Sequence, residues 1–180
     1  LVPQTPWRLN PSQLLSNVPP PPARGISLGE PWNAGQSSAA RGTALHLAMR
    51  TCLARPELAP ALAIATGLDS ETLTQVAERA RSLKDWLTAQ GYSELHCETP
   101  GVGTTKEGGE ISGTIDLIAC GPSGCILIDH KTGGPGDGLG SYWPQLSAYR
   151  NLMPTLMPGI PLRGLGIFWI DHGRLELADE

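Results

Sequence analysis

Residues 113–134 read GTIDLIACGPSGCILIDHKTGG. Two apolar runs, Thr114–Cys120 and Cys125–His130, flank the connector Gly121-Pro122-Ser123-Gly124. β-Branched and aliphatic residues bounded by Gly and Pro predict a β-hairpin. With the connector as the whole loop, Cys120 faces Cys125, Ile118 faces Leu127 and Asp116 faces Asp129. Facing side chains in antiparallel strands lie about 5 Å apart at Cβ. Lys131 follows Asp129 by two positions, so strand alternation brings it out on the same face.

Two carboxylates and an ammonium thus converge at one end of an apolar hairpin. Anions about 5 Å apart repel by about 3 kcal/mol at an effective dielectric near 20. One carboxyl is then protonated, or Lys131 compensates, or a cation sits between them. Hard oxygen ligands at that spacing suit Mg²⁺ or Mn²⁺ better than zinc. A plain salt bridge of Lys131 with one Asp at a strand end fits the same pattern.

Downstream, residues 142–153 read YWPQLSAYRNLM. Pro144 suits the first turn of a helix, where a missing N–H leaves nothing unpaired. Gln145 and Tyr149 are four apart and share a helical face, while Leu146, Leu152 and Met153 point inward. An amide and a phenol on one face can hold a phosphate or a base. An ordinary amphipathic helix carries the same pattern.

In order, G-T-I-D, I-D-H-K-T-G and Y-x-x-Q-L-x-x-Y resemble the motifs of the PD-(D/E)XK nuclease superfamily. Within it, the chain is similar to the RecB-type nuclease domain at the C-terminus of AddA-type bacterial helicase–nucleases. That family carries a histidine on an early helix, in a setting like R-G-T-A-L-H, which here is His46. The resemblance runs from Arg41 to the end. It implies an α/β fold of the α+β kind, a mixed sheet in the order αβββαβ with an inserted helix.

It also implies a deoxyribonuclease using Mg²⁺, with Mn²⁺ able to substitute, and exonuclease rather than endonuclease action. Asp116, Asp129 and the backbone carbonyl of His130 would be ligands, and His46 would complete the metal shell or touch phosphate. Lys131 would stabilise developing hydroxide, and Gln145 and Tyr149 would fix the scissile strand. Glu98 would bond to a metal-bound water or to Lys131, or face solvent. The expected partners are DNA, motor domains of a parent chain and a second helicase–nuclease subunit, acting in double-strand break repair and recombination. No cysteine follows Cys125, so the iron–sulfur cluster of some relatives is not expected. Two competing readings are a catalytically silent DNA-binding scaffold and a free-standing exonuclease. The intact Asp116, Asp129 and Lys131 count against the first, and the Pro-rich lead-in counts against the second.

Composition agrees with one folded domain: 180 residues, of which 40% are hydrophobic. A first residue of Leu suggests a segment of a longer polypeptide. No apolar run reaches membrane-span length and no secretory pattern opens the chain. A bacterial cytoplasmic, nucleoid-associated protein is therefore expected. The net charge of −4 argues against a DNA-coating module, which is usually basic, and predicts weak DNA binding by the domain alone. There is no phosphate-binding G-x-x-x-x-G-K-[ST] loop, so motor activity must come from elsewhere. The four cysteines are dispersed, without a C-x₂-C pair, and read as small buried apolar residues.

Residues 1–37 read as a Pro-rich strap or linker pinned by Trp7 and Trp32, with one short helix from Leu9 to Leu15. Residues 38–180 read as the nuclease domain. Leu45, Ala48, Met49, Cys52 and Leu53 make a helical core stripe over Ser38–Arg55. Asp69 or Ser70 caps a second helix, and Gly91 terminates it. Tyr92–Glu98 reads as a strand ended by Pro100, and Gly101–Gly109 as a hairpin loop. Pro154 and Pro158 stop the Gln145 helix. Leu162–Ile170 is then a strand, Asp171-His172-Gly173 a turn and Arg174–Leu177 a short last strand.

Overall fold

The computed structural model describes residues 8–9, 19–32, 38–104, 109–136 and 138–180. In chain order these form β1 (Arg8–Leu9), β2 (Arg24–Ser27), α1 (Ala39–Ala54), α2 (Leu62–Thr66) and α3 (Ser70–Ala89). There follow β3 (Glu94–Thr104), β4 (Glu110–Gly121), β5 (Gly124–Lys131), α4 (Trp143–Leu156), β6 (Leu162–Trp169) and β7 (Arg174–Asp179). The strands make one seven-stranded sheet in the order β1-β4-β5-β6-β7-β2, with β3 also on β4. Pairing is parallel for β1–β4 and β5–β6 and antiparallel elsewhere, which is the mixed sheet expected.

The β4–β5 hairpin has the register counted from the sequence: Cys120 faces Cys125 and Ile118 faces Leu127. Gly121 pairs with Gly124, which leaves Pro122-Ser123 as a two-residue turn. A Cβ on Gly121 would fall 1.9 Å from the Gly91 carbonyl, so no larger side chain fits there. Every residue of β5 before Lys131 is buried, because helices cover both of its faces. That explains a continuous apolar run where a half-exposed strand would alternate.

On one face, α1 and α3 pack Leu45, Met49, Leu83 and Leu87 against Leu117, Ile126, Ile128 and Phe168. On the other, α4 packs Leu146, Leu152 and Met153 against Ile118, Leu127 and Ile167. The Ser38 side chain caps α1 by accepting the Arg41 N–H at 3.1 Å, and Asp69 caps α3 by accepting the Thr72 N–H at 2.7 Å. Burying one Leu-sized side chain from water contributes about 1.5–3 kcal/mol. These stripes therefore outweigh the caps, at about 1 kcal/mol each, in fixing where α1 sits.

Several boundaries differ from the sequence expectation. β3 does not end at Pro100 but runs to Thr104. Among the described residues it pairs only with β4, and an edge strand tolerates a residue without an N–H. Residues 101–104 are therefore strand, and 105–108 of the expected loop lie outside the described residues. Pro154 does not stop α4, which continues to Leu156. The proline falls in the last turn, where few downstream bonds depend on it. Part of the stretch read as a strap is β2, paired antiparallel with β7. Leu9 belongs to β1; Trp7 and the rest of the helix expected over Leu9–Leu15 lie outside the described residues. Trp32 does pin the strap, donating its indole N–H to Asp171 and stacking under Arg79 at 4.9 Å.

Candidate active site

The sheet opens at Asp116. β3–β4 pairing is regular through Cys97 with Leu117, resumes at Thr99 with Ile115, and omits Glu98 and Asp116 between them. β4–β5 pairing ends at Leu117 with Ile128. Side-chain alternation breaks at the same point: Leu117 lies in the α1/α3 core, whereas Ile115 and Ile118 both lie in the α4 core. Glu98 takes a left-handed φ of 53°, a conformation that non-glycine residues adopt only when the surroundings impose it. Asp116 fills the opening. Its Oδ2 accepts the His130 main-chain N–H at 2.7 Å. Strand N–H groups lie in the sheet plane, so this carboxylate replaces a main-chain acceptor. Asp116 therefore sits at a fork between strands, one pair beyond the end of the ladder, instead of standing squarely opposite Asp129.

From α1, His46 approaches the same oxygen, with Nδ1 3.7 Å away. Its ring also meets the His130 ring edge-on, with centroids 6.3 Å apart. Burial lowers the proton affinity of His46, and the Asp116 charge opposes that. His130 is held down to about 4 by full burial, so its imidazole is neutral. Its carbonyl has a direction. The next carbonyl, of Lys131, accepts the Ile170 N–H on the β6 side at 2.9 Å. Strand alternation turns the His130 carbonyl toward β4, where its own N–H meets Asp116.

Asp129 and Lys131 face α4. Lys131 Nζ lies 2.7 Å from Asp129 Oδ2 and donates to Gln145 Oε1 at 3.3 Å. Gln145 Nε2 donates to Asp129 Oδ1 at 3.0 Å and to the Tyr149 hydroxyl oxygen at 3.1 Å. Tyr149 in turn donates to the Thr114 carbonyl at 3.0 Å. The chain of bonds fixes the amide's orientation, since its oxygen must face the ammonium. Burial raises the Tyr149 hydroxyl to about 12, which keeps it a proton donor. Lys131 also lies 4.9 Å over the Tyr142 ring. Gln145 and Tyr149 are both buried and bonded to groups of the protein. They lie behind Asp129 and Lys131, with Gln145 bonded to both and Tyr149 linking Gln145 to Thr114.

Asp129 is nearly fully buried, and that burial raises its pKa to about 6. The nearby Asp116 charge adds to the rise, and Lys131 opposes it. Its Oδ2 is buried and meets the Lys131 ammonium at 2.7 Å, with no other partner among the described residues. The Asp129 and Asp116 carboxylates and the His130 carbonyl are oxygen donors of the kind a hard divalent cation takes. Among the described residues, no three side chains of His, Cys, Asp or Glu converge on one point. A cation here would take water oxygens as well, as Mg²⁺ ordinarily does.

All seven expected site residues thus lie around one fork: His46 and Asp116 on its α1 side and in its plane, Asp129, Lys131, Gln145 and Tyr149 on its α4 side, and His130 between. Sequence reasoning left out Tyr142 and Thr114, although both stand in the quoted stretches. It left Glu98 open; the structure ion-pairs it at 3.4 Å with Arg50, one turn beyond His46. A family model for the PD-(D/E)XK nuclease superfamily matches residues 24–169. No curated protein matches the chain.

Proposed function

The chain belongs to the PD-(D/E)XK nuclease superfamily, and from that premise we propose a divalent-metal-dependent deoxyribonuclease. Membership implies nuclease activity and a nucleic-acid substrate; the finer assignment rests on the fork. The observation that carries it is the Asp129 carboxylate, buried and paired with Lys131 at 2.7 Å, one strand from Asp116.

Asp116, Asp129 and the His130 carbonyl would hold a Mg²⁺ or Mn²⁺ ion, with His46 either joining them or meeting phosphate. Bound there, such an ion would lower the pKa of a water and neutralise phosphate charge. Lys131 orients the attacking water and stabilises the negative charge that develops on it. Water oxygen bonds to phosphorus and gives up a proton to solvent, as the ester oxygen departs with its electron pair and takes up a proton from solvent. Gln145 and Tyr149 keep Asp129 and Lys131 aligned, so little reorganisation is left for the reaction itself. Asp116 is held at the end of the ladder by the His130 N–H.

The resemblance to AddA-type enzymes supports a place in a helicase–nuclease that trims DNA ends in double-strand break repair, in the bacterial cytoplasm. In that setting the residues before β2 would link the nuclease to motor domains, and a second subunit would complete the complex. A net charge of −4 fits a domain that relies on such partners to hold DNA. The test is to incubate the protein with linear and circular DNA in Mg²⁺, Mn²⁺ or EDTA, beside Lys131→Ala. Ion-dependent loss of linear DNA, abolished by the substitution, is the expected result. Equal degradation by both proteins would overturn the assignment of Lys131, and cutting undiminished in EDTA would overturn the metal.

A further inference from the structure

Past β6 the chain enters Asp171-His172-Gly173, which the sequence reads as a plain turn. Asp171 is only 3% exposed, and its carboxylate gathers donors from three distant parts of the chain. Oδ2 accepts the Gly133 N–H at 2.6 Å, while Oδ1 accepts the Trp32 indole N–H and lies 3.6 Å from an Arg41 Nη2. A buried carboxylate is retained only where charge and hydrogen bonds compensate it, and charge-assisted bonds are about twice as strong as neutral ones.

What these donors belong to matters more than their number. Gly133 lies two residues past Lys131 and has a left-handed φ of 89°. A Cβ at Gly133 would meet nothing, so glycine is needed there for backbone conformation and not for space. The Ile170 N–H holds the Lys131 carbonyl at 2.9 Å. Consecutive residues 170 and 171 thus fasten the main chain on both sides of Thr132. On the other flank, Arg41 stands in the first turn of α1, about one and a half turns before His46. A Cβ on the neighbouring Gly42 would come 3.3 Å from Thr132 Oγ1, so the start of α1 lies directly against the loop that leaves Lys131.

Building on the nuclease reading of the fork, we infer that Asp171 is a positioning residue for Lys131 and His46. Its single carboxylate fixes the exit of β5 relative to the start of α1, and so sets the separation of the two sides of the fork. It touches neither DNA nor the reacting atoms. The Trp32 bond joins the strap to the same carboxylate but is not needed for the alignment. Misplacement of a reacting group by about 1 Å costs roughly a hundredfold in rate, so loss of this anchor has a large kinetic effect.

The experiment compares the whole chain with Asp171→Ala, Asp171→Asn and Trp32→Phe. Each protein is assayed for DNA cutting, Mn²⁺ affinity and hydrogen exchange in the peptide spanning residues 129–136. Asp171→Ala is expected to lower kcat by roughly tenfold to a hundredfold with KM for DNA changed less than about twofold. It should also weaken Mn²⁺ and expose the Gly133 amide to exchange. Asp171→Asn keeps an oxygen for Gly133 and should recover most of the rate and the protection. Trp32→Phe, which strips only the strap's donor, should leave kcat within about twofold of the parent. The inference is overturned if Asp171→Ala exposes the amide while kcat and Mn²⁺ affinity stay unchanged. It is also overturned if Trp32→Phe slows cutting as much as Asp171→Ala, since the carboxylate would then serve only the strap. Should Asp171→Ala not fold, Arg41→Gln set against Trp32→Phe decides: the first should slow cutting and weaken Mn²⁺ and the second should do neither, and equal effects overturn the inference. A parent protein that binds Mn²⁺ but cuts nothing defeats the nuclease reading alone, and the Mn²⁺ and exchange comparisons still judge Asp171.

Discussion

Mn²⁺ titrated into the protein near pH 5 is expected to expel close to one proton for each ion bound. Asp129 is the source. Burial raises its pKa to about 6, with the Asp116 charge adding to the rise against Lys131. A group at that value is about nine-tenths protonated near pH 5 and about one-tenth protonated near pH 7. A carboxylate must shed its proton to coordinate, so ion and proton compete for the same oxygen. Apparent affinity should therefore fall by roughly tenfold between pH 7 and pH 5, equivalent to about 1.4 kcal/mol, and level off above pH 7. Calorimetric titration in two buffers of different ionisation enthalpy measures the proton count directly, from the dependence of the heat on the buffer. Repeating it on His46→Gln separates the carboxyl from the imidazole, because the variant keeps Asp129. Heats near pH 5 that are independent of buffer in both proteins would refute the reasoning. They would mean that Asp129 is already ionised in its buried position, or is no ligand.

The same raised carboxyl gives a stability profile in EDTA. Folding favours its protonated form, so its contribution is complete below about pH 4 and lost as pH rises through about 6; the loss is at most about 3 kcal/mol, readable by urea unfolding across that window. Replacing Lys131 with Ala should cut the hydrolysis rate by at least about a hundredfold while Mn²⁺ still binds, since the amine is not a ligand; a parallel loss of ion binding would contradict that division of roles. Gln145→Leu removes the partner of Asp129, Lys131 and Tyr149 together. Leaving buried polar groups unpaired costs about 1–3 kcal/mol, which should lower Tm by about 2–12 °C in a thermal melt.

Local chemistry made much of the framework legible. The Gly-Pro-Ser-Gly connector set the hairpin register, the apolar stripe from Leu45 to Leu53 marked α1, and Asp69, one of two cap candidates, does cap α3. The Gln145–Tyr149 spacing placed both groups on one face of α4, where they bond to each other. The fork was not legible. Strict alternation predicts Asp116 directly opposite Asp129, but the ladder ends one pair earlier and the face of β4 switches there. That switch coincides with the unpaired, left-handed Glu98 in a neighbouring strand, which no local pattern around Asp116 reveals. β2 was hidden for a related reason. Arg24–Ser27 lies in a Pro- and Gly-rich stretch with little strand propensity, and only pairing with β7 makes it a strand. The Asp171 hub joins residues 32, 41 and 133, and such long-range convergence leaves no trace in spacing.

The facing cysteines at the hairpin tip also have a practical use. Burial raises both thiols, Cys125 to about 12, and both side chains are shielded from solvent. Only a thiolate attacks an alkylating dye, so these sulfurs stay silent until β4 and β5 part. With the partly exposed Cys52 and Cys97 replaced, the speed at which dye couples to the remaining pair is a clock for breathing of the β4–β5 ribbon.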